Sequence, residues 1–479
     1  MGDSVIHWFR RDLRLEDNTA FDAALRSGDL VLPVFIIDDA IVGRAIGEHR
    51  LRFLRTALVD LDAQLQRRGS RLVVRRGDAP RELNRIAEEA ETWGVYYNRD
   101  HTPYARGRDT RATRGLQMTG VVTQTFDDLL LVPPHGTLDA EGNVAGTFSA
   151  FSRRWFQQLD VSPGPPSASA GRLMPVADTP ESIPEWAESL APGLAAPSSW
   201  PGATAASARS QLETFVAVSL AGYEGRRDPL AEEATSRLSA ALKFGTISVR
   251  EVARSVLRRA ASDEMSREGS ERFIRELTWR EYAHHLLHHR PDLLRRPFRE
   301  AAWPAPAVPD SAVETRLRAW QEGRTGLPVV DAGMRQLDAE GWIHNRVRMI
   351  VASVLSHQLG LDFRLGERHF MRRLVDADVA SNDLGWQWAV GVGVGPSPGT
   401  VDSTLEGTKH DPRGEYVRRW IPELAGVPDA YVHRPWEMPP KVQASSSCRI
   451  GIDYPQPVVA PVVPGASPAR ARPSPTRRS

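Results

Sequence analysis

Within residues 1–135, five strand-length apolar runs, at 5–9, 31–37, 72–74, 95–97 and 121–126, alternate with stretches of helical periodicity. The runs are rich in β-branched and aromatic residues, which suit a pleated backbone. Between the second and third, Leu51, Leu54, Leu58, Leu61 and Leu65 recur at helical spacing across 50–68, and Pro80 suits the first turn of a helix over 81–91. Such alternation predicts a parallel sheet with crossover helices on both faces and ligands at the carboxyl ends of the strands. The expectation is an α/β domain, a five-stranded parallel doubly wound sheet. No GxGxxG follows the first strand, so a dinucleotide fingerprint is absent.

The pattern then changes. Residues 136–210 read as a long connection, with Pro, Ala, Ser and Gly dominating 162–210. From 211 to 455 the periodicity is helical, most clearly at 271–289 and 345–358, which predicts an all-α domain. The Pro/Arg-rich stretch 456–479 is expected to be a disordered tail. No apolar run approaches the ~20 residues of a membrane span. The first residues turn charged too soon for a secretory signal, so a cytoplasmic protein, expected to be a monomer, is the simplest reading. Cys448 is the only cysteine, which excludes an intramolecular disulfide and a cysteine metal cluster. The 61 basic residues include only three lysines, Lys243, Lys409 and Lys441. Arginine forks suit phosphate, although a GC-rich genome gives the same bias.

Several segments carry candidate chemistry, each with a plainer reading beside it. Thr235-Ser236-Arg237-Leu238-Ser239 is a possible phosphate seat, and the same letters serve as a helix cap. In 276–282, Glu276 and Arg280 share a helix face and predict an ion pair. His284, His285, His288 and His289 have metal-ligand spacing but no carboxylate on either face, so a solvated helix end is expected. His344, Asn345, Arg346 and Arg348 open an apolar helix, and if buried they need partners; Asp376 and Asp378 are the nearest supply of carboxylates. Trp386 and Trp388, two apart, must face different neighbours. Gly391, Gly393 and Gly395 read as a flexible loop, since no P-loop lysine follows.

The order of these segments is more specific than any one of them. HWFRRDLRLEDNTA at 7–20, TSRLSAALKFGTIS at 235–248, ELTWREY at 276–282, AWQEGRTGLPVVDAGMRQL at 319–337, GWIHNRVRM at 341–349, DADVASND at 376–383 with GWQW at 385–388, EYVRRWIPEL at 415–424 and DYPQP at 453–457 span nearly the whole chain. Together they resemble the DNA photolyase/cryptochrome family, specifically the class I cyclobutane pyrimidine dimer photolyases. The resemblance implies an α/β antenna domain, a helical domain that holds folded FAD, and UV-damaged DNA as substrate. It assigns the FAD phosphate region to Tyr223, Thr235, Ser236, Arg237, Leu238 and Ser239. Asn345, Arg348, Asp376 and Asp378 would hold the ribose and ring, with Arg348 paired to Asp376, and Asn382 would face the flavin N5. Trp279 and Trp388 would flank the lesion, Glu276 would hydrogen-bond it and Met349 would lie beside it. Arg227, Arg280 and Arg346 would line the DNA cleft, and Trp386 would pass electrons to the flavin.

The resemblance also implies a second chromophore. Phe35, Arg52, Asp100 and Lys243 match the pocket of relatives that use 8-hydroxy-5-deazaflavin. Methenyltetrahydrofolate usually goes with an Asn-Glu pair where this chain has Ala105-Arg106. Three departures stand out. The acidic residue and Asn-Pro that usually follow WQWA are missing from 391–410. Phe363 stands at the middle of the usual tryptophan chain. Ala377 and Leu384 replace glycines. These leave a cryptochrome-like light sensor, or a remnant without activity, as the alternative to a repair lyase.

Overall fold

The structure is a computed structural model that describes residues 3–42, 46–161, 171–176, 202–300, 310–396 and 399–461. Strands β1 (Ser4–Phe9), β2 (Leu30–Asp38), β3 (Val73–Gly77), β4 (Gly94–Asn98) and β5 (Val122–Phe126) form a parallel sheet in the order β3-β2-β1-β4-β5. The period of two sends Val5 and Phe9 of β1 to one face and Ile6 and Trp8 to the other. The first face packs on Phe21 of helix α1 (Thr19–Arg26) and on Phe53, Leu58 and Leu61 of α2 (Glu48–Gln66). The second packs on Leu83 and Ile86 of α3 (Ala79–Glu89) and on Ala112 and Leu116 of α4 (Pro103–Met118). Burial on both faces is why β1, β2 and β4 read as nearly continuous apolar runs rather than as alternating ones.

A sixth strand lies in the expected connection. β6 (Arg172–Leu173) pairs in parallel with Leu30 and Val31, beyond the part of β2 that β3 covers. The same stretch contains helix α5 (Phe148–Gln158), whose Trp155 is fully buried and donates to Glu281 (2.6 Å). Trp186 and Trp200 lie outside the described residues.

The described residues form two compact units: those within 3–300 with 336–343 and 363–396, and 310–335 with 344–362 and 399–461. Besides the sheet, the first holds α6 (Ser239–Phe244) and α7 (Arg267–His289). α8 (Asn345–Ser353) belongs to the second, while α9 (Phe363–Arg373) and α10 (Val379–Ala389) complete the first. The helix expected over 345–358 is α-helical only to Ser353 and widens into a π turn over Val354–Gln358.

The second unit is organised around buried Asp331, which accepts hydrogen bonds from Thr325, Gly326 and the Tyr454 hydroxyl. The tail expected to be free from 456 is held at its start, where Val458 donates its backbone N–H to Thr325 (2.9 Å). Gly326, at φ +77°, passes so close to Gln456 that a Cβ would stand 2.5 Å from its carbonyl oxygen. Residues 462–479 lie outside the described residues. No helix among the described residues is long and apolar enough to cross a membrane.

Candidate functional site

α7 carries Glu276, Trp279 and Arg280. Glu276 does not take Arg280, its i+4 neighbour; its carboxylate pairs with Arg227 and with Arg272 (3.2 Å). Arg280 instead donates to the carbonyl of Leu129 (3.1 Å). Trp279 stacks flat on Phe148 of α5, with centroids 3.6 Å apart and planes at 5°, so one indole face is covered and the side chain remains half-buried. Tyr223 packs edge-on against Phe215 and Phe273, and burial together with the Glu276 charge pushes its hydroxyl up to about 12.

The histidines that follow are not a solvated end. His284 and His285 are fully buried. His285 sits between the Thr137 hydroxyl (2.7 Å) and the Val132 carbonyl (2.9 Å), and burial pushes it down to about 3. His284 Nε2 lies 3.3 Å from Asp378, a carboxylate supplied from far along the chain.

The segment 235–239 enters the short α6. Arg237 has φ +49°, a left-handed conformation that costs on the order of 1 kcal/mol for a residue with a Cβ. Its guanidinium pairs with Glu340 (3.1 Å) and lies over Trp342 at 4.2 Å. Leu238 is buried in the core and its N–H donates to the Ser236 hydroxyl. The hydroxyls of Thr235 and Ser239 have no hydrogen-bond partner among the described residues.

Asp378 caps α10, accepting from the Ser381 N–H (3.0 Å), and binds Arg11 (2.8 Å) and Lys243 (3.9 Å). Burial alone would raise its carboxyl; the neighbouring His284, itself pushed down to about 3 by burial, and the charges of Arg11 and Lys243 outweigh this and hold it well below the usual carboxylate range. Further along α10, Asn382 donates to the carbonyl of Glu367 (3.1 Å), and buried Trp386 meets Phe370 edge-on at 5.1 Å. Trp388 is half-buried. Neither Ala377 nor Leu384 has a positive φ, so the lost glycines leave no backbone strain there. The turn at 391–395 is not a flexible loop: Val392 and Val394 are buried, and Gly393 donates to Gln387 (2.8 Å). A Cβ at Gly393 would stand 2.7 Å from the backbone nitrogen of Trp388.

In the second unit, Asn345, Arg346, Arg348 and Met349 occupy the first turns of α8. His344 caps the helix by accepting from the Arg346 N–H (3.1 Å). Of the polar run only His344 is buried; Asn345 is exposed, and Arg346 and Arg348, like Met349, are half-buried.

At the carboxyl ends of the strands lies a cavity of about 570 Å³. Phe35, Asp100 and Lys243 line it, as the resemblance implies. Arg52 does not; its guanidinium pairs with Glu48, and Arg50 takes its place in the wall. Two residues apart on a helix, Arg50 and Arg52 point about 200° apart, so only one can face the cavity. Further lining residues not singled out from sequence are Trp8, Arg10, Arg11, Tyr104, Arg368 and Arg372. Tyr104 donates to Asp38 (2.6 Å). Asp100 is held well below the usual range by Arg11 despite its burial, whereas burial and Arg11 together push Lys243 down to about 7. Trp8 Nε1 and Arg10 Nη2 are buried donors with no partner among the described residues.

The model for DNA photolyase matches residues 5–170, and the model described as the FAD binding domain of DNA photolyase matches 273–462. The chain is 38% identical over 459 residues to the deoxyribodipyrimidine photo-lyase of Streptomyces griseus, an alignment that covers 94% of this chain and 95% of the relative. The crystal structure of a bacterial class III photolyase from Agrobacterium tumefaciens superposes with a TM-score of 0.86 at 34% identity, covering 96% of this chain and 95% of that one. The archaeal photolyase from Sulfolobus tokodaii, solved with two FAD molecules, gives 0.78 at 30% identity, covering 95% and 96%.

Proposed function

The chain belongs to the DNA photolyase family, and on that premise we propose that it is a light-driven lyase that repairs cyclobutane pyrimidine dimers in DNA. The observation that carries this is the placement of Glu276 and Trp279, half-buried, one turn apart on α7. A light sensor has no use for that pair. With one indole face against Phe148, Trp279 keeps the other for stacking on a base turned out of the helix. Extrusion costs a few kcal/mol and least for a damaged base; photolyases are a known instance. Glu276, held by Arg227 and Arg272, accepts a hydrogen bond from the extruded pyrimidine; the resemblance assigns Met349 to the lesion as well. Arg227, Arg280 and Trp388 extend the DNA surface, to which the resemblance also assigns Arg346, with affinity that falls as salt rises.

The donor set suits FAD. The free hydroxyls of Thr235 and Ser239 are oriented by a turn that Arg237 holds through Glu340, and they match a pyrophosphate; Tyr223, Ser236 and Leu238 complete that wall. The resemblance assigns Asp376, Asp378 and Asn382, in the first unit, and Asn345 and Arg348, in the second, to the ribose and ring. The chemistry bound FAD supplies is the loan of one electron, from its excited reduced form, to a dimer whose ring then opens. The protein's own part is to position, to exclude water and, through Trp386, to pass electrons inward.

We assign the antenna role to 1–135 and catalysis to 211–455, in a cytoplasmic monomer. The cavity beside Phe35 holds the second chromophore, for which the unpaired donors of Trp8 and Arg10 are a fit. 8-Hydroxy-5-deazaflavin is preferred to methenyltetrahydrofolate because Ala105-Arg106 lacks the amide and carboxylate associated with folate.

The test is repair of a thymine-dimer oligonucleotide under blue light, with the flavin reduced chemically beforehand. Light-dependent loss of the dimer is expected. FAD-bound protein that repairs nothing, and binds damaged and intact DNA alike, would move the reading to a cryptochrome-like sensor, which Phe363 in place of a tryptophan favours.

A further inference from the structure

The arginines about Glu276 and Trp279 differ in what holds them. Arg227 and Arg272 are engaged by the Glu276 carboxylate. Arg280 donates to the Leu129 carbonyl (3.1 Å). Arg275 is of another kind. It directly precedes Glu276 on α7, one turn before Trp279, and is exposed, with neither an ion pair nor a hydrogen bond among the described residues. What holds its guanidinium is a ring: the central carbon lies over Phe148, 5.4 Å from the centroid. Phe148 is also the ring on which Trp279 stacks, at 3.6 Å and 5°. One buried side chain of α5 therefore carries both the indole and the cation.

The face of an aromatic ring attracts a guanidinium without neutralising it. Arg275 thus keeps its whole charge at a set place beside the indole, where a carboxylate partner would have cancelled it. Aromatic faces interleaved with cations are the pattern that grips a nucleic-acid strand: the ring takes the base and the cation takes the backbone. The guanidinium fork offers two parallel N–H groups to phosphate oxygens. Because the indole and the cation rest on one ring, the phosphate within reach of Arg275 belongs to the strand whose base lies on Trp279. In intact DNA that base stays in the helix, and the two contacts are not made together. We propose that Arg275 is a specificity-determining residue that holds a backbone phosphate beside the extruded dimer, so that it contributes more to binding of damaged than of intact DNA. This role rests on the reading that Glu276 and Trp279 receive the lesion.

The full chain with FAD bound is titrated in the dark against a fluorescently labelled duplex carrying one thymine dimer, and against the same duplex undamaged, over a series of salt concentrations. R275Q should weaken dimer binding about tenfold at low salt, as the loss of one charge-assisted hydrogen bond would give. It should also flatten the slope of log affinity against log salt by about 0.9, the share of one duplex phosphate. Both changes should be smaller on the undamaged duplex. R275K, which keeps the charge and loses the fork, should restore the slope and only part of the affinity. A residue that merely packed on Phe148 would move the melting temperature and leave the salt slope alone. An R275Q slope equal to that of the unaltered chain, or equal losses on the two duplexes, overturns the role of Arg275, while a dimer preference in the unaltered chain leaves the lesion reading standing. If the unaltered chain binds both duplexes alike, the lesion reading fails and the role of Arg275 with it.

Discussion

Replacement of Asp378 by asparagine tests how the end of the sheet is tied to α10. The carboxylate is 9% exposed and holds Arg11 at 2.8 Å, with His284 at 3.3 Å and Lys243 at 3.9 Å. Asparagine keeps the cap, because its side-chain oxygen still accepts from Ser381. What it removes is the charge, leaving Arg11 with only Asp100 at 3.5 Å. Breaking a buried pair from one side costs about 3–5 kcal/mol, and the expectation for D378N is near the lower end because Asp100 remains. D378A should lose about 1 kcal/mol more, the usual worth of an N-cap. R11M alone should cost less than D378N, and the double variant R11M/D378N should be at least ~2 kcal/mol more stable than the sum of the singles predicts. The assay is urea denaturation followed by tryptophan fluorescence at fixed FAD concentration, since ligand binding shifts apparent stability. The sign of the pH dependence follows from the lowered carboxyl. Its stabilisation is present above the unfolded value, near 4, and is lost as pH falls below that. Because Lys243, pushed down to about 7, gains its charge beside Asp378 across this range, the gap between the unaltered chain and D378N should widen from about pH 8 to 5 and then close in acid. A loss under ~1 kcal/mol at neutral pH, or strictly additive singles, would refute the idea that this cluster joins the sheet edge to α10.

Three further outcomes are expected. E281Q should lose about 2–3 kcal/mol, read as a lower melting temperature, because Glu281 accepts from Leu131, Val132 and Trp155, and an amide offers one oxygen for three donors. F35A and R50A should weaken binding of 8-hydroxy-5-deazaflavin to the FAD-loaded chain while R52A leaves it unchanged, since Arg52 is turned to Glu48; an R52A defect would show that the arginine reaches the cavity. W386F should slow photoreduction of oxidised FAD under blue light yet leave repair intact once the flavin is reduced by dithionite, and equal photoreduction rates would remove Trp386 from the electron path.

How much of this was legible in the chain depends on the range of the interaction involved. β1, β2 and β4 are readable because each is a mostly apolar, buried run, the mark of a strand covered on both faces, whereas the edge strands β3 and β5 show only in their β-branched residues, between polar ones. β6 is not readable, because two residues in a Pro-rich stretch carry no period, and only their pairing with Leu30 and Val31 makes them a strand. The buried histidines illustrate a recoverable error. His284 and His285 lie one helical turn beyond Glu281 and two beyond Thr278, on a helix whose apolar positions run through Leu286 and Leu287, so the phase of α7 already points them inward. Spacing to a metal partner is the wrong question there; burial with a hydrogen-bond acceptor is the right one. The same phase argument separates Arg50 from Arg52, because Arg50 shares its face with Leu54, which also lines the cavity. The Arg11–Asp378 pair is of another kind. Its members are 367 residues apart, and nothing local to either foretells the other. Motif order located Asp378 within the proposed cofactor region and left Arg11 without a role, and only the folded chain shows that a carboxylate expected to serve the flavin also caps α10 and neutralises two cations of the neighbouring cavity. One carboxylate with three partners means that the substitutions at Asp378 will perturb the chromophore cavity and α10 together, which is why the double-variant cycle with Arg11, rather than either single loss, separates the roles.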